Sequence, residues 1–474
     1  MGRKVLIQLI KLVYHLSSVP FIRDRLINLA EARIKDELKK IPELPMFYNP
    51  SLRVQEDKFY FLRAMIHSGI KGKPSWKFVN TIVENALISD YRIQKEREFR
   101  SKYGVDPPGF LTISPGMRCN LRCTGCYANS KDQSAKLDYD VFSWIIDGMK
   151  KEWGARFVTL SGGEPLIYRS KGKTILDICR DHSDVLFLMY TNGTVIDMKM
   201  AENIAEVGNL TPGISVEGLR DATEKRRGRG SFDKILRAME NLKKTGVIFG
   251  LSITATKQNA DGIFTDEFND FYFKKMGASY AWVFHYMPIG RDIELDLMIT
   301  PQQRYELWKR TWHVIRDEKV MVADFWNCGV LSDGCISAGR AGGYLYIDWH
   351  GNVNPCVFFP YAPVNVNNIY HNGGHINDIW DTPFFKAIRN WQAEYVRKHG
   401  NWLRPCIIRD HHKTARKLID EFKPNPSDEG AREALTNINY YRKMVEFDEQ
   451  LAKITDPIWK DEYLENLKKE KQAG

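Results

Sequence analysis

The sequence predicts an α/β protein built around a partial (β/α)6 barrel, with helical regions before the barrel and a loop-rich module after it. From residue 110 to about 288, short apolar runs alternate with stretches of helical period, which is the pattern of parallel strands joined by helices. Before residue 110 the pattern is mostly helical, and after residue 300 the alternation stops. Six strand units are fewer than the eight of a closed barrel.

The six predicted strands are short and apolar. They cover residues 110–114, 156–160, 185–190, 213–216, 247–254 and 281–286. The helix after the first strand places Phe142, Ile145 and Met149 on one face, because their spacing matches a period of 3.6. In this architecture the functional residues are expected at the carboxyl ends of the strands.

The chain has 474 residues, so at roughly 150 residues per domain we expect several regions. Its hydrophobic fraction of 43% and charged fraction of 27% exclude disordered and collagen-like proteins. We divide it into a basic amphipathic helical segment (1–36), a mostly helical region (37–108), the partial barrel (109–300), the loop-rich module (301–406) and a charged helical tail (407–474).

The first 36 residues have an unusual amphipathic pattern. Lys4, Gln8, Lys11 and His15 recur at helical spacing, and nearly all residues between them are apolar. This pattern fits a helix lying in a membrane interface, and it equally fits a helix buried against the chain or in a dimer. The apolar stretch is too short to span a bilayer, which takes about 20 apolar residues.

The charge balance favours an acidic partner surface. Lys and Arg number 69 against 59 Asp and Glu, which gives a net charge of +10. Together with the amphipathic N-terminus, this favours a phospholipid surface, and we expect no nucleic-acid partner. We therefore expect a cytoplasmic protein, peripheral on the inner face of the membrane if residues 1–36 bind lipid.

Three cysteines follow the first predicted strand. Cys119, Cys123 and Cys126 have the spacing C-x3-C-x2-C, and the eight cysteines of the chain are too few and too uneven for a disulfide scaffold. Thiolates favour iron–sulfur clusters and zinc, but structural zinc takes four protein ligands. Three cysteines on a four-iron cube would leave one iron open to a small molecule that bears an amine and a carboxylate.

A glycine-rich turn follows the second predicted strand, with Gly162, Gly163 and Glu164 in the string SGGEP. Two glycines let the backbone approach a ligand closely, and a carboxylate suits an ammonium group. Taken with the cysteine loop, this string resembles the radical S-adenosylmethionine (SAM) enzymes over residues 110 to 291. One departure is Gly125, since many relatives carry an aromatic residue just before the last cysteine.

The resemblance implies a radical SAM type of partial TIM barrel and an oxidoreductase. Its [4Fe-4S] cluster would be held by the three loop cysteines, and SAM would lie beside the glycine turn. An electron from a flavodoxin- or ferredoxin-type donor would cleave SAM reductively, and the 5'-deoxyadenosyl radical would abstract hydrogen from an unactivated C–H bond. Asn192, Ser215 and Glu217 match positions where relatives contact SAM, although each could equally cap a turn.

Four later cysteines suggest a second cluster. Cys335, Gly351 and Cys356 form C-x15-G-x4-C, which resembles the opening of the auxiliary-cluster modules called SPASM and twitch. In this interpretation Cys406 is a third ligand and Cys328 a fourth. A mononuclear iron or zinc site and free buried thiols are the alternatives.

Three residues near the last barrel strand are catalytic candidates. If Ala281 and Val283 face the barrel interior, so does His285, because side chains alternate along a strand. His285 would then donate a proton or contact substrate, and the alternative is a core histidine. Tyr286 and Arg291 are candidates of the same kind.

The substrate is the least determined part of the prediction. The basic amphipathic N-terminus and an aromatic fraction of 12% favour a membrane lipid or isoprenoid chain. The alternatives are a peptide- or protein-modifying maturase and a structural iron–sulfur protein without catalysis. Peptide-modifying relatives usually have a winged domain of strands and helices near the N-terminus, whereas residues 37–108 are predicted to be mostly helical.

Overall fold

The computed structural model describes residues 11, 14, 20–39, 52–83, 89–130, 134–291 and 293–464. The amphipathic pattern predicted for residues 1–19 therefore lies outside the described residues, apart from Lys11 and Tyr14. The Tyr14 hydroxyl donates to the carbonyl of Pro74 (2.8 Å), and the Lys11 ammonium lies 5.8 Å from the ring centre of Trp76. These two residues thus contact the body of the protein.

Helices cover the N-terminal region, the outer face of the barrel and the C-terminal tail. They are α1 (Pro20–Lys39), α2 (Leu52–Lys71), α3 (Trp76–Ile82), α4 (Asp90–Tyr103), α5 (Tyr139–Trp153), α6 (Ile175–Asp181), α7 (Met198–Val207), α8 (Arg220–Arg227), α9 (Ser231–Lys244), α10 (Asp266–Asn269), α11 (Pro301–Arg316), α12 (Val366–His371), α13 (Pro383–Arg397), α14 (Ile407–Asp410), α15 (His412–Phe422), α16 (Glu429–Thr436) and α17 (Ile438–Ile458). Among the described residues, none of these helices is long and apolar enough to cross a membrane.

Local sequence explains where the barrel helices begin and end. The Asp138 side chain accepts the amide of Asp140 at the start of α5, and Gly154 ends that helix in the left-handed conformation (φ 66°). At the start of α6, Thr174 and Asp177 form a reciprocal capping box. The apolar face of α5 predicted from Phe142, Ile145 and Met149 is buried.

The strands form one large sheet and two small ones. They are β1 (Phe110–Ile113), β2 (Phe157–Leu160), β3 (Arg169–Ser170), β4 (Lys173–Thr174), β5 (Leu186–Thr191), β6 (Leu210–Val216), β7 (Gly250–Ala255), β8 (Tyr280–His285), β9 (Met321–Asp324), β10 (Tyr344–Ile347), β11 (Asn352–Asn354), β12 (Tyr361–Ala362), β13 (Val364–Asn365) and β14 (Asn425–Pro426). The large sheet has the order β13-β11-β10-β1-β2-β5-β6-β7-β8-β9.

The predicted partial barrel is confirmed. The six predicted strands are β1, β2, β5, β6, β7 and β8, and each pairs in parallel with its neighbour. Four strands from residues 301–406 extend the same sheet. Strand β9 pairs in parallel with β8 and β10 with β1, and β11 and β13 continue the sheet beyond β10 in antiparallel pairs. The loop-rich region is therefore continuous with the barrel sheet.

The two faces of the sheet differ in packing. Leu111, Val158, Leu251 and Val283 lie on one face and are fully buried. Ile214 belongs to this face, because a side chain at Gly193 would contact both Ile214 and Ala238 of helix α9. This face therefore packs against the helices, and the opposite face lines the barrel interior, which we call the lumen.

Aromatic rings line much of the lumen. The lumen-facing positions of the eight parallel strands carry no charged residue, and they are Phe110, Thr112, Phe157, Thr159, Leu186, Leu188, Tyr190, Thr211, Gly213, Ser215, Gly250, Ser252, Thr254, Tyr280, Trp282, Phe284, Met321, Ala323, Tyr344 and Tyr346. Gly213 makes room for Tyr190, since a Cβ there would lie 3.2 Å from its ring.

Candidate cluster and cofactor site

The cysteine loop lies at the carboxyl end of β1, where the sequence places it. The backbone amide of Leu121 donates to Sγ of Cys119 (3.4 Å), and the side-chain amide of Asn192, which follows β5, approaches the same sulfur at 3.8 Å. Burial raises the pKa of Cys119 to about 11, and the charges of Cys123 and Cys126 act in the same direction. The three thiols are thus neighbours of one another and of the end of β5.

Two arginines donate hydrogen bonds to the backbone of this loop. Arg226 donates through Nε to the carbonyl of Thr124 (3.2 Å), and Arg291 donates through Nη1 to the carbonyl of Cys123 (3.1 Å). Burial raises the pKa of the Cys126 thiol, whereas the charges of Arg226 and Arg291 oppose this rise. These cations favour thiolates and a negatively charged cluster on the loop. Arg291 therefore contacts the loop backbone, while its catalytic role stays a prediction.

The space beside Gly125 is taken by Tyr286. A Cβ at Gly125 would lie 2.5 Å from the Tyr286 ring, and its φ of 63° also favours glycine. The ring of a distant tyrosine thus occupies the position next to the loop where relatives carry a neighbouring aromatic residue. Tyr286 is buried, and its hydroxyl accepts the amide of Glu294 (3.2 Å).

The glycine turn after β2 packs against the base of the cysteine loop. A Cβ on Gly163 would collide with the carbonyls of Met117 and Arg118, so glycine is required for this close approach. The Gly162 amide donates to the Tyr127 hydroxyl (2.8 Å), and Tyr127 directly follows the last loop cysteine. The turn therefore supports the loop in addition to its predicted contact with SAM.

Both carboxylate oxygens of Glu164 accept hydrogen bonds from the protein itself. One carboxylate oxygen accepts the Thr191 hydroxyl (2.7 Å) and the Leu166 amide (3.2 Å), and the other accepts the Asn192 amide (2.8 Å). Burial raises the pKa of Glu164, and these hydrogen bonds oppose the rise. The carboxylate ties the turn to the end of β5, and contact with the amino group of SAM stays a prediction.

Glu217 offers a buried acceptor at the end of β6. Its Oε1 pairs with Arg226 and Arg227, each at 2.6 Å, whereas its Oε2 is buried without a hydrogen-bond partner. Arg226 also bonds the cysteine loop, so this carboxylate is connected to the loop through one side chain. An unpartnered buried carboxylate oxygen fits a hydroxyl donor such as those of a ribose. Ser215 lies two residues earlier on the lumen face.

Three of the later cysteines meet in the core. Burial raises the pKa of Cys356 to about 12, and the neighbouring Cys335 adds to the rise. The pKa of Cys406 is raised by burial, then by Asp410, Cys335 and Cys356. Burial raises the pKa of Tyr344 of β10, which faces the lumen, and the charges of all three thiols add to the rise. The structure therefore brings Cys335, Cys356 and Cys406 together beside the barrel interior.

The predicted fourth ligand, Cys328, lies apart from this group. Its Sγ points to the carbonyl of Val322 (3.9 Å), and burial and then Asp324 raise its pKa, with a further contribution from Asp57. The assignment of Cys328 to the auxiliary site is therefore corrected. The turn after β9 directs its side chain toward α2, and sequence spacing could not show this direction.

The donor sets fit clusters better than single ions. Within the described ranges, no three Cys, His, Asp or Glu side chains lie close enough to bind one metal ion. Ligands of a four-iron cube bind different iron atoms and stand farther apart than the ligands of one ion. Two groups of three neighbouring thiols therefore fit iron–sulfur clusters, and they disfavour a mononuclear zinc or iron site.

His285 faces the helices and not the lumen. It shares a face with Ala281 and Val283 as predicted, but that face packs against the helices, so its predicted place near the cofactor is wrong. Both faces of such a sheet are buried, and apolarity alone could not distinguish them. The imidazole donates through Nε2 to Asp324 (3.1 Å), it stacks on Trp326, and burial lowers its pKa.

Several residues at the site have no clear sequence signal. Arg226 connects Glu217 to the cysteine loop, but a lone arginine in a helix usually lies in solvent. The lumen aromatics Tyr190, Trp282 and Phe284 could be recognised only once one face of the sheet was known. Ser215, predicted to contact SAM, shares their face, but only the pairing of the strands shows this.

Comparison with known proteins agrees with this geometry. The family model described as the Radical SAM superfamily matches residues 113–263, and the model of the iron-sulfur cluster-binding domain SPASM matches residues 335–407. The second range includes Cys335, Cys356 and Cys406 but not Cys328.

Individual relatives cover most of the same region. Mycofactocin maturase MftC of Mycolicibacterium smegmatis is 30% identical over 303 residues, which are 61% of this chain and 74% of that protein. AdoMet-dependent heme synthase of Methanosarcina barkeri is 30% identical over 305 residues, covering 57% of this chain and 82% of that protein. The crystal structure of Streptococcus suis SuiB bound to S-adenosylmethionine has 18% identity and a TM-score of 0.51, covering 70% of this chain and 83% of that one, and supports the fold.

Proposed function

We propose, from the premise that this chain belongs to the radical SAM superfamily, that it acts on the hydrocarbon chain of a membrane lipid or isoprenoid. The chain is an enzyme whose cofactors are a [4Fe-4S] cluster, SAM and an auxiliary iron–sulfur cluster of the SPASM domain. When bound, SAM and the first cluster supply a 5'-deoxyadenosyl radical that abstracts hydrogen from an unactivated C–H bond.

Different residues of this chain would hold the first cluster, SAM and the second cluster. Cys119, Cys123 and Cys126 would hold the first cluster, and the surrounding arginines would balance its negative charge. Ser215 and the free oxygen of Glu217 would accept ribose hydroxyls of SAM. The second cluster would be held by the neighbouring thiols, which are Cys335, Cys356 and Cys406.

The uncharged aromatic lumen is the observation that carries the proposed substrate. Tyr190 contacts both Trp282 (6.5 Å between ring centres) and Phe284 (5.2 Å), and Phe284 contacts Phe325 (5.8 Å). Because the lumen-facing strand positions carry no charge, they offer no partner to an ionised substrate. An apolar chain would bury its surface there at a gain of about 25 cal/mol per Å².

Helix α1 gives the chain a surface that suits a membrane interface. Phe21 is 74% exposed and Leu29 is 64% exposed, and Arg25 and Arg33 are exposed on the same helix. Exposed aromatic and aliphatic side chains beside basic ones are typical of helices that lie at a lipid surface. Such a surface would bring the enzyme to a water-insoluble substrate.

A second candidate is a peptide substrate, which the maturase name of one relative favours. Against it, the described residues before β1 form helices without a strand, unlike the winged domain expected of peptide-modifying relatives. The described part of that region therefore offers no strand on which a peptide could extend a sheet.

Hydrogen transfer from a labelled lipid tests the proposed substrate. Reconstituted, reduced protein is incubated with SAM and vesicles of phosphatidylglycerol that carries fully deuterated acyl chains. We expect deuterium in the 5'-deoxyadenosine, measured by mass spectrometry, and none with the Cys123→Ala variant. Unlabelled 5'-deoxyadenosine from the wild type, with intact lipid, would contradict the lipid substrate and leave SAM cleavage standing.

A further inference from the structure

A cavity of about 1560 Å³ opens at the amino ends of the barrel strands, opposite the cysteine loop. Its lining includes seven basic side chains and four acidic ones, together with aromatic residues such as Trp380 and Phe157. None of the cluster or SAM residues belongs to it. The cavity therefore needs an explanation of its own.

Two arginines of this cavity lack a carboxylate partner among the described residues. Arg389 donates through Nη1 to the carbonyls of Ala338 (2.9 Å) and Trp380 (3.2 Å), and it lies 4.1 Å from the ring centre of Trp380. Arg340 donates to the carbonyls of Asp333 and Ser332, and its Nε is buried without a partner.

At both guanidinium groups the effect of burial outweighs that of the acidic groups nearby, which are Asp381 for Arg389 and Asp333 for Arg340. Burial lowers the pKa of Arg389 to about 10, and it also lowers the pKa of Arg340. Backbone carbonyls carry only partial charge, so an anion in the cavity would add to the partial neutralisation that these carbonyls and acidic groups provide. A guanidinium group binds a phosphate through two parallel hydrogen bonds, so phosphate is the anion that best fits these arginines.

The cavity borders the amino end of the lumen. Phe157 and Leu186 line the cavity and also begin the lumen faces of β2 and β5. From Phe157 an aromatic row crosses the amino end of the lumen through Phe110 (5.5 Å between ring centres) and Tyr344 (5.0 Å), and Tyr344 in turn contacts Phe325 (6.0 Å), which follows β9. The same row reaches Phe284 and Tyr190, which lies near Tyr127 of the cysteine loop.

We propose that this arginine-lined cavity binds the phosphate headgroup of an amphiphile whose apolar chain extends along the aromatic row toward the cysteine loop. The inference rests on the proposed lipid function, and it adds the headgroup site and the direction of the chain. The dimensions agree, since β5 spans about 17 Å at 3.3 Å per residue and half of a bilayer core is about 15 Å. The reactive carbon would then lie toward the far end of the chain.

Binding of decyl phosphate to the full reconstituted chain tests this site. Calorimetry below the micelle concentration compares decyl phosphate with decyl glucoside, which has the same chain but no charge, and with inorganic phosphate, which has no chain. We expect decyl phosphate to bind at least about tenfold more tightly than either. Equal affinity of the glucoside would overturn the phosphate site, and tighter binding of inorganic phosphate would indicate a site for free anions.

Arg389→Gln is the decisive variant, and Arg310→Gln is its matched control. Arg310 is another half-buried arginine whose hydrogen bonds, among the described residues, go to backbone carbonyls, those of Ile263 (2.9 Å) and Ala260 (2.7 Å), but it lies outside the cavity. We expect about tenfold weaker decyl phosphate binding in Arg389→Gln, and wild-type binding in Arg310→Gln. If Arg389→Gln unfolds, Arg389→Lys with unchanged melting temperature replaces it, and unchanged affinity there would contradict the inference.

Two further readouts separate this inference from the proposed function. Decyl phosphate binding without deuterium transfer from lipid would support the cavity site and contradict the lipid substrate. Deuterium transfer that is unchanged in Arg389→Gln would support the substrate and contradict the headgroup site. An acidic peptide that displaces decyl phosphate more effectively than phospholipid does would also overturn the assignment to an amphiphile.

Discussion

The two groups of cysteines are built in opposite ways. Cys119, Cys123 and Cys126 lie within eight residues, on a partly exposed loop at the end of one strand. Cys335, Cys356 and Cys406 come from distant parts of the chain, and two of the three are buried. The first group is therefore arranged by local chain geometry, whereas the second exists only when the whole barrel has folded around Tyr344.

The two groups also differ in their electrostatic surroundings. Arg226 and Arg291 bond the backbone of the first loop, and their charges stabilise thiolates there. Burial raises the thiol pKa values in both groups, so proton release must accompany metal binding at each; Asp410 adds to the rise at Cys406, whereas the arginine charges oppose it at Cys126. Because its cysteines come from distant segments, iron loading of the second group should depend more on correct folding than loading of the first.

The largest effect should follow from removing one loop cysteine. Cys123→Ala should abolish formation of 5'-deoxyadenosine, because a four-iron cluster that loses one of three thiolates no longer presents an open iron in a fixed position. The iron that belongs to the auxiliary cluster should remain, together with its absorbance. Chromatographic product analysis and iron quantification measure both quantities. Retained SAM cleavage would contradict the assignment of this loop.

A smaller effect, confined to iron content, should distinguish members of the second group. Cys356→Ala should lose the iron of one cluster, whereas Cys328→Ala should keep the wild-type iron content because its thiol points to Val322. Both cysteines are buried, so Cys328→Ala is the control for any effect that comes only from losing a buried thiol. Equal iron loss in the two variants would show that Cys328 is a ligand and that our correction is wrong.

The sequence predicts local features of this molecule much better than distant ones. The six barrel strands follow from alternating apolar and helical patterns, and the cysteine loop follows from its spacing. Which face of the sheet is the lumen could not be predicted, because Val283 and Trp282 are both apolar and both faces are covered. His285 was misplaced for this reason.

Contacts between distant segments were likewise beyond sequence reasoning. Cys328 and Cys335 are close in the chain, yet a turn after β9 separates their side chains. Arg389 and Arg340 come from different elements, and only the folded chain reveals that neither forms a salt bridge with a carboxylate of the described residues. These residues lack a periodic pattern or a motif, so the interactions that define them arise only in the tertiary structure.

The smallest effect should appear at Glu217, which connects the first group to its proposed SAM site. Glu217→Gln keeps the size of the side chain and replaces one carboxylate oxygen with an amide. We expect SAM to bind about tenfold more weakly, since a hydrogen bond to a charged group contributes about 1.5–3 kcal/mol. Equilibrium dialysis with anaerobic protein measures this affinity.

The control for Glu217→Gln is Glu224→Gln, a carboxylate on α8 that pairs with Arg220 at the surface (3.3 Å). SAM affinity should be unchanged there, because that pair lies apart from the cysteine loop. Removing the Glu217 charge also leaves Arg226 and Arg227 without their shared partner, so the first cluster should become easier to reduce. A weaker affinity for SAM with an unchanged reduction potential would mean that Glu217 acts on SAM alone and that the arginines do not connect it electrostatically to the loop.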